Sequence, residues 1–433
     1  MVSSVLWVAL FIGVLITFHE FGHLIVAKLT HIPVEIFSIG FGPVLLKKKV
    51  GETEYRLSLV PLGGFIKMTG EDERAGPPPA EPVAIPQAGA GYVDKPLWVK
   101  VSVIAAGPVS NLVLGFLMIV VMYLAFGVKY VAPVVEPEPN SAAADAGVKP
   151  GDLIVAAAGE TIPSFERFDD LAQLDAGKTI PLVLRRGGER LTVNYTVPRD
   201  TPDMRPLLPP VVDKVLRGSP AWRTGVKPGD LITSVGGRDV HRWEDFVDEV
   251  TKNGGKKIGI AWSRSGQVFA ESVTPAVERD QMSNQRFGQV GIWVRLPKKS
   301  LPVQVAVWEA LKRSGYVVGQ TYVILYKVVT RQISTRAIGG PIMVAKIAYE
   351  GANWGMEYFL ALWGLLSINL FVVNMLPVPV LDGGRIVLDV IAGVRRRRLS
   401  DRELSWAGNI GWLLIGALVL LTIFNDVLRL VRK

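Results

Sequence analysis

Four stretches of this chain are long and apolar enough to call for a bilayer: about Val5–Ala27, Val101–Val128, Phe359–Val380 and Leu404–Asn425. Crossing the hydrocarbon takes about 20 apolar residues. In lipid each backbone N–H and C=O must find its partner within the segment, so these stretches can fold only as α-helices. The expected fold is therefore an α-helical membrane protein with four transmembrane helices. The second stretch is the plainest, with no charge between Lys100 and Lys129. The first does not read as a removable leader, because it lacks a basic n-region and a clear small-residue cleavage site.

Composition and charge set the topology. Hydrophobic residues make up 49% of the 433, and the mean hydropathy of +0.32 is too apolar for an ordinary soluble enzyme. There is no cysteine, which excludes disulfides, thiolate metal sites and a cysteine nucleophile; any metal must be held by His, Asp or Glu. Much of the net charge of +9 sits in Lys47-Lys48-Lys49 and Arg395–Arg398, both beside apolar spans. Basic residues of this kind face the cytoplasm, and they form no aromatic-interleaved face for nucleic acid. The expected partner is the lipid bilayer, with no nucleic acid. The N-terminus then lies outside, residues 28–100 inside, residues 129–355 outside and Arg395–Arg398 inside. Arg429, Arg432 and Lys433 fall outside, a mild violation of the rule.

The first span ends in His19-Glu20-Phe21-Gly22-His23, an H-E-x-x-H run. Helical positions i and i+4 share a face, so both histidines can hold one zinc ion. Glu20 then stands beside the metal, placed to act as general base on the attacking water. The same run arises by chance in soluble helices. Here it lies at bilayer depth, where three ionisable side chains within five residues are costly unless something binds them. Two of the chain's four histidines are in this run, which favours a metal site further.

Two histidines leave a catalytic zinc one protein ligand short. The third span runs through Asn374, Pro377 and Pro379 into Asp382-Gly383-Gly384-Arg385. Asp382 is the expected third ligand. Spans one and three both run from outside to inside, so the charge-derived topology puts Asp382 at the depth of His19 and His23. The two glycines allow close backbone approach. Pro377 and Pro379 break the helix and free carbonyls that a substrate backbone could bind. Asn374 offers its amide either to substrate or to a hydrogen bond between helices.

The middle of the chain is a repeat. Gly147-Val148-Lys149-Pro150-Gly151-Asp152-Leu153-Ile154 recurs as Gly225–Ile232, 78 residues on. The match continues without gaps, pairing Phe165 with Trp243, Phe168 with Phe246 and Arg186 with Arg264. A period held this widely means two copies of one small domain. Each copy is expected as an α+β module with one helix, about Ser164–Leu174 and Arg242–Lys252. The repeated run resembles PDZ domains of the bacterial, circularly permuted kind. Such domains bind extended peptide termini by strand addition. Whether both copies bind peptide or act only as a bulky shield stays open.

Three further segments flank the spans. Ile36–Ile39, Glu54–Val60 and Phe65–Met68 read as short strands between Gly-rich turns. An edge at Gly64, Phe65 and Ile66 could clamp an unwound substrate by strand addition; a cap without substrate contact is the alternative. Glu71–Lys95, rich in Pro, Gly and Ala, reads as a mobile loop. Val303–Ile333 places Val307, Trp308, Leu311, Val318, Tyr322, Leu325 and Val329 at helical spacing among charges, which predicts an amphipathic helix near the outer membrane surface.

H-E-F-G-H in the first span and N-x-x-P-x-P-x-L-D-G-G in the third together resemble the site-2 protease family of intramembrane zinc metalloproteases. The two outside PDZ-like copies narrow the likeness to the bacterial regulator-of-sigma-E protease type. Gly63–Met68 and Ala105–Asn111 also look like family segments. The resemblance implies that His19, His23 and Asp382 are zinc ligands, that Glu20 is the catalytic glutamate and that Asn374 lies on the substrate side. It implies cleavage of single-span membrane proteins, an anti-sigma factor or remnant signal peptides, after an upstream protease has cut on the outer side. It places the chain in a bacterial inner membrane, with the active site near the cytoplasmic face and the PDZ copies in the periplasm. In that family the residue after Asp-Gly-Gly is often histidine. Here it is Arg385, which leaves the ligands intact and alters the local charge.

Two other readings compete. A non-catalytic PDZ scaffold predicts a broken metal set, and the set here is complete. A transporter predicts inverted repeats among the spans, and the repeat lies outside them. The expected division is a first span at residues 1–28 and a cytoplasmic β region with its Pro-rich loop at 29–98. A second span at 99–128, PDZ-like copies at 129–205 and 206–298, and the outer helix region at 299–354 follow. A third span at 355–381, a basic cytoplasmic loop at 382–403 and a fourth span at 404–428 complete it.

Overall fold

The first apolar stretch forms helix α1 (Val2–Leu29), which passes into two long strands, β1 (Val34–Val50) and β2 (Thr53–Met68). This computed structural model describes residues 2–70, 91–199, 203–279, 285–332, 339–340, 343–344 and 354–431. Most of the expected Pro-rich loop, and much of the region just before the third span, lie outside the described residues. The chain divides into two units, Met1–Ala125 with Leu301–Lys433, and Phe126–Ser300.

The strands are longer than the short ones predicted, and the pair folds back on itself. Glu54–Leu57 pairs with Ile36–Ile39 on one side and with Leu46–Lys49 on the other. Ile36–Ile39 pairs in turn with Gly64–Lys67, which is the outer strand among the described pairings. Pro61 backs onto α1 so tightly that a Cβ on Gly13 would overlap its carbonyl oxygen. Gly13 precedes His19 by six residues. At about 1.5 Å per residue, the sheet therefore climbs roughly 9 Å past the histidine along α1. Phe41, Val44, Leu45, Leu59 and Val60 are exposed around that climb. An apolar rim of this size is costly in water and at home in lipid.

Helix α2 (Leu97–Phe126) lies close against α1. A Cβ on Gly22 would overlap the carbonyl of Ala106, and Ser110 Oγ donates to the Phe18 carbonyl at 2.7 Å. Beneath this contact Leu24, Ala27, Val34, Met68, Val103 and Ile104 form one buried cluster. It ties α1, the sheet and α2 into a single packed layer.

The unit Phe126–Ser300 holds the repeat as two similar modules. In the first, the strand order is Glu189–Thr196, Thr179–Arg186, Asp152–Ala157, Val134–Pro137, Met204–Pro206. The second runs Arg238–Asp239, Leu231–Val235, Ile258–Arg264, Gln267–Val273. The helices α3 (Phe165–Leu174) and α4 (Trp243–Lys252) keep the 78-residue offset end to end. Ser164 caps α3 by accepting from Arg167 N at 3.3 Å. The cores match position by position: Ile154, Phe168, Leu182 and Leu184 against Ile232, Phe246, Ile260 and Trp262. Each module also buries one aspartate. Asp152 accepts from Lys149 N and Arg186 Nε, both at 2.8 Å; Asp230 accepts from Lys227 N and Arg264 Nε, both at 2.7 Å. Burial opposes ionisation of Asp152, but its hydrogen bonds from Arg186 and Lys149 outweigh that and hold the carboxyl below its ordinary pKa.

Helix α5 (Val303–Val329) is the expected amphipathic helix. Ala306, Ala310, Ser314 and Val317 form its buried stripe. Ala310 and Val317 pack with Ile119 of α2 and with Ile368 of helix α6 (Met356–Asn374). Thr321 Oγ1 donates to Asn369 Oδ1 at 2.8 Å. Alanine and serine let the two helices approach closely along this stripe, while Val307, Trp308, Leu311, Tyr322 and Val329 of the predicted apolar set are exposed.

The third span ends at Asn374, short of the predicted Val380, because Pro377 cannot continue a helix. The predicted basic loop is largely a helix, α7 (Asp382–Arg395), which buries Gly383 and Gly384 and packs Ile386 on the cluster under α1, while Val387, Val390 and Val394 are exposed. It is followed by α8 (Asp401–Val431). Among the described residues, three helices are long and apolar enough to cross a membrane: Leu97–Phe126, Met356–Asn374 and Asp401–Leu428.

Candidate metal centre

His19 and His23 lie one turn apart on α1, and α7 begins at Asp382 directly beside them. His19 Nε2 is 3.2 Å from His23 Nε2 and 3.1 Å from Asp382 Oδ2; His23 Nε2 is 3.7 Å from Asp382 Oδ1. Both histidine side chains are under 10% exposed and Asp382 is 19% exposed. The group is therefore buried, with its open side at the carboxylate.

Backbone packing makes this convergence possible. Gly383 and Gly384 tuck under the turn that follows α6. A Cβ on Gly383 would overlap Met375, and one on Gly384 would overlap the Val378 carbonyl. Leu381 N donates to Val378 O at 2.8 Å, closing that turn, and α7 starts at the next residue. Asp382 thus occupies the first turn of a helix, where backbone N–H groups favour an anion.

Neighbouring groups orient the imidazoles. His23 Nδ1 donates to the carbonyl of Val103 in α2 at 2.8 Å. Its ring passes over Gly107, where any Cβ would collide with it. His19 Nδ1 has two amides in reach, Asn111 Nδ2 at 3.2 Å and Asn374 Nδ2 at 3.4 Å. An amide presents oxygen or nitrogen with the same shape. With oxygen turned to the ring, His19 Nδ1–H donates and Nε2 keeps its lone pair, as in His23. Asn111 is fully buried, and its own carbonyl accepts from Ser367 Oγ at 2.7 Å, which locks α2 to α6 at this level.

The donor set fits zinc. Ligands held about 2.0–2.2 Å from a tetrahedral ion stand about 3.3–3.6 Å from one another. The three separations here bracket that range, and all donor atoms lie within 4.8 Å of one another. Two imidazoles and one carboxylate leave a fourth position for water or substrate, as catalytic zinc requires.

The remaining predicted residues divide into near and far. Glu20 is half-buried and adjoins the outer strand: a Cβ on Gly64 would sit 3.5 Å from its Cγ. Asn374 makes the interhelical contact that was one of its two expected uses. Pro377 and Pro379 lie in the turn between α6 and α7. Phe65 turns away, stacked on Phe41 with ring centres 6.3 Å apart, and Ile66 packs on the cluster under α1. Val103, Gly107 and Asn111 went unpredicted as site residues. Gly107 and Asn111 carried a signal as part of the family-like Ala105–Asn111 segment, and Asn111 also as a carboxamide in a charge-free span.

Two imidazoles and a carboxylate with a glutamate close by, packed against helices long and apolar enough to cross a bilayer, define a membrane metallohydrolase of the H-E-x-x-H kind. The family model for peptidase family M50 matches residues 7–418, and the chain belongs to that family. It is a metalloprotease with zinc as its metal. The Regulator of sigma-E protease RseP of Salmonella typhimurium is 32% identical, covering 99% of this chain and 100% of that protein. A Neisseria meningitidis protein named as a zinc metalloprotease is 31% identical over 96% of this chain and 97% of its own. Among solved structures, the PDZ domain of an SdrC-like protein from Listeria monocytogenes is 19% identical. It covers 19% of this chain and 84% of its own, with a TM-score of 0.17, and carries none of the argument.

Proposed function

We propose that the chain cleaves transmembrane segments of single-span membrane proteins within the membrane, using His19, His23 and Asp382 as zinc ligands and Glu20 as general base. The observation that carries this reading is the meeting of His19, His23 and Asp382 from two separate apolar segments. Bound there, zinc polarises a scissile carbonyl and draws the pKa of water towards about 7. Glu20 takes the proton from the attacking water and returns it to the leaving amine. Val103 and the two asparagines keep the histidines presented through Nε2. Asn374, at the foot of α6, is also in place to meet a substrate amide.

A helical substrate must be unwound before its carbonyls are accessible. The outer strand at Gly64, Phe65 and Ile66 passes Glu20 and, among the described residues, pairs on one side only, which suits strand addition by an extended segment. Gly64 has no side chain because the Ser38 carbonyl, 2.6 Å from where its Cβ would lie, and Glu20 fill that space. Pro377 and Pro379 interrupt the helix beside the site, where the Val373 and Leu376 carbonyls accept from Leu376 N at 3.1 Å and Val378 N at 2.7 Å. Phe65→Pro removes a strand N–H and is expected to slow cleavage of a helical substrate about tenfold or more. The same variant should cut an already extended peptide at a much less altered rate; equal slowing of both would sink the clamp.

By charge and chain order, α1, α2, α6 and α8 are four spans of a bacterial inner-membrane protein. The repeat is a tandem of permuted PDZ domains in the periplasm, and the site lies near the cytoplasmic face. The likeness to regulators of the sigma-E response makes an anti-sigma factor the leading substrate, with remnant signal peptides second. The bulk of the repeat suits a filter that admits substrates whose outer domain another protease has removed. One assay in liposomes tests the reading. A single-span substrate lacking its outer domain should be cut, the cutting should stop with a zinc chelator, and added zinc should restore it. The intact substrate should be cut only by a chain lacking residues 130–295. Cleavage that ignores the chelator would refute the function.

A further inference from the structure

Asp382 occupies the first position of α7, with no helical turn before it and no side-chain cap at Leu381. Its pose therefore depends on how the rest of α7 is held. Positions 382, 385 and 389 fall on one helical face. The carboxylate of Asp389 accepts from the hydroxyl of Tyr92 at 2.6 Å. The guanidinium of Arg385 lies over the Tyr92 ring, 4.8 Å from its centre. Tyr92 is 3% exposed and sits where the chain enters α2, its N–H donating to the Thr69 carbonyl at the end of β2. Lys100 of α2 reaches the same ring at 5.8 Å, and three residues further along α2 the Val103 carbonyl holds His23.

Tyr92 thus reaches two separate parts of the metal centre, one turn away through Lys100 on α2 and one and two turns away through Arg385 and Asp389 on α7. One is Val103, which orients His23; the other is Asp382, which supplies the carboxylate. We propose that Tyr92 is a positioning residue for the metal centre, and that its bond to Asp389 sets the rotation of α7 that aims Asp382 at the two histidines. Arg385 holds the ring from the same face of α7, which gives this unusual residue after Asp-Gly-Gly a structural task. Tyr92 touches neither zinc nor substrate. It acts through α7.

The proposal rests on the reading of His19, His23 and Asp382 as zinc ligands, and its test separates the two. Purified full-length protein in detergent is loaded with zinc, and zinc retention is titrated against a chelator. Tyr92→Phe keeps the ring and the buried packing and removes only the hydroxyl. Loss of a partner bonded directly to a ligand typically costs about 10-fold to 100-fold in metal affinity, and Tyr92 acts one step further out, so the lower end of that range is expected. Tyr92→Phe and Asp389→Asn are each expected to weaken zinc retention about tenfold, and the double variant no more than either alone. A general loss of stability would instead lower the unfolding midpoint of the metal-free protein and leave the chelator titration of the folded fraction unchanged. Wild-type zinc retention in both single variants overturns the proposal. His23→Ala serves as the reference arm: retention of zinc in that variant would show that the ligand assignment, and the positioning role with it, is wrong.

Discussion

Glu20→Gln is expected to lower cleavage of a transmembrane peptide by about 10²-fold to 10⁴-fold while the purified protein still carries its zinc. Loss of a positioned general base has that range of cost. The substitution keeps the shape of the side chain and its place one residue after His19. It removes the one property the reaction needs, the ability to accept a proton. The zinc should stay, because the donor atoms within 4.8 Å of one another belong to His19, His23 and Asp382. Metal content by atomic emission, measured beside the cleavage rate, checks both halves. Cleavage at the wild-type rate would overturn the assignment of Glu20. Loss of zinc together with activity would make Glu20 a ligand and not the base.

Gly107→Ala should be nearly as damaging, although residue 107 bears no functional group. The new methyl would overlap the ring of His23. His23 has no spare room, being 5% exposed and tied through Nδ1 to Val103. The helix must shift or the ring must turn, and either breaks the convergence with Asp382. Overpacking of this kind costs about 1–3 kcal/mol in a close-packed interior. The expected result is a folded protein that loses zinc to a chelator at least tenfold more readily and cleaves correspondingly little. Gly408→Ala on α8 is the control, since its methyl would meet nothing within 4 Å. It should bind zinc and cleave as the parent does. Normal zinc retention in Gly107→Ala would mean that α2 does not constrain the site.

Much of this site was legible before any coordinates. His19, Glu20 and His23 declare themselves by spacing within one helix, which needs only helical geometry. Asp382 could be joined to them because the positive-inside rule ordered the spans and brought two chain segments to one depth. The repeat was legible because identical residues return after a constant interval. Other features left no such mark. Val103 acts through its carbonyl, a group every residue has. Gly107 acts by what it lacks. Tyr92 reaches Asp389 across 297 residues of sequence. The sheet beside α1 was expected as separate short strands, because pairing one strand twice leaves no local pattern. α5 showed its helical period in the sequence, but the residues it buries, Ala306, Ala310, Ser314 and Val317, are a different set from the predicted apolar stripe.

The sequence alone pointed to the apolar segments that fold as helices and to the donors a metal could use. Those are matters of local period, composition and charge, which a chain displays in one dimension. Only the tertiary structure decided how the donors are aimed. It did so through the Val103 carbonyl that orients His23, the asparagines at His19 and the turn over Gly383 and Gly384 that delivers Asp382. Aim is a property of distances between segments far apart in the chain, and close packing sets those distances to within a methyl group.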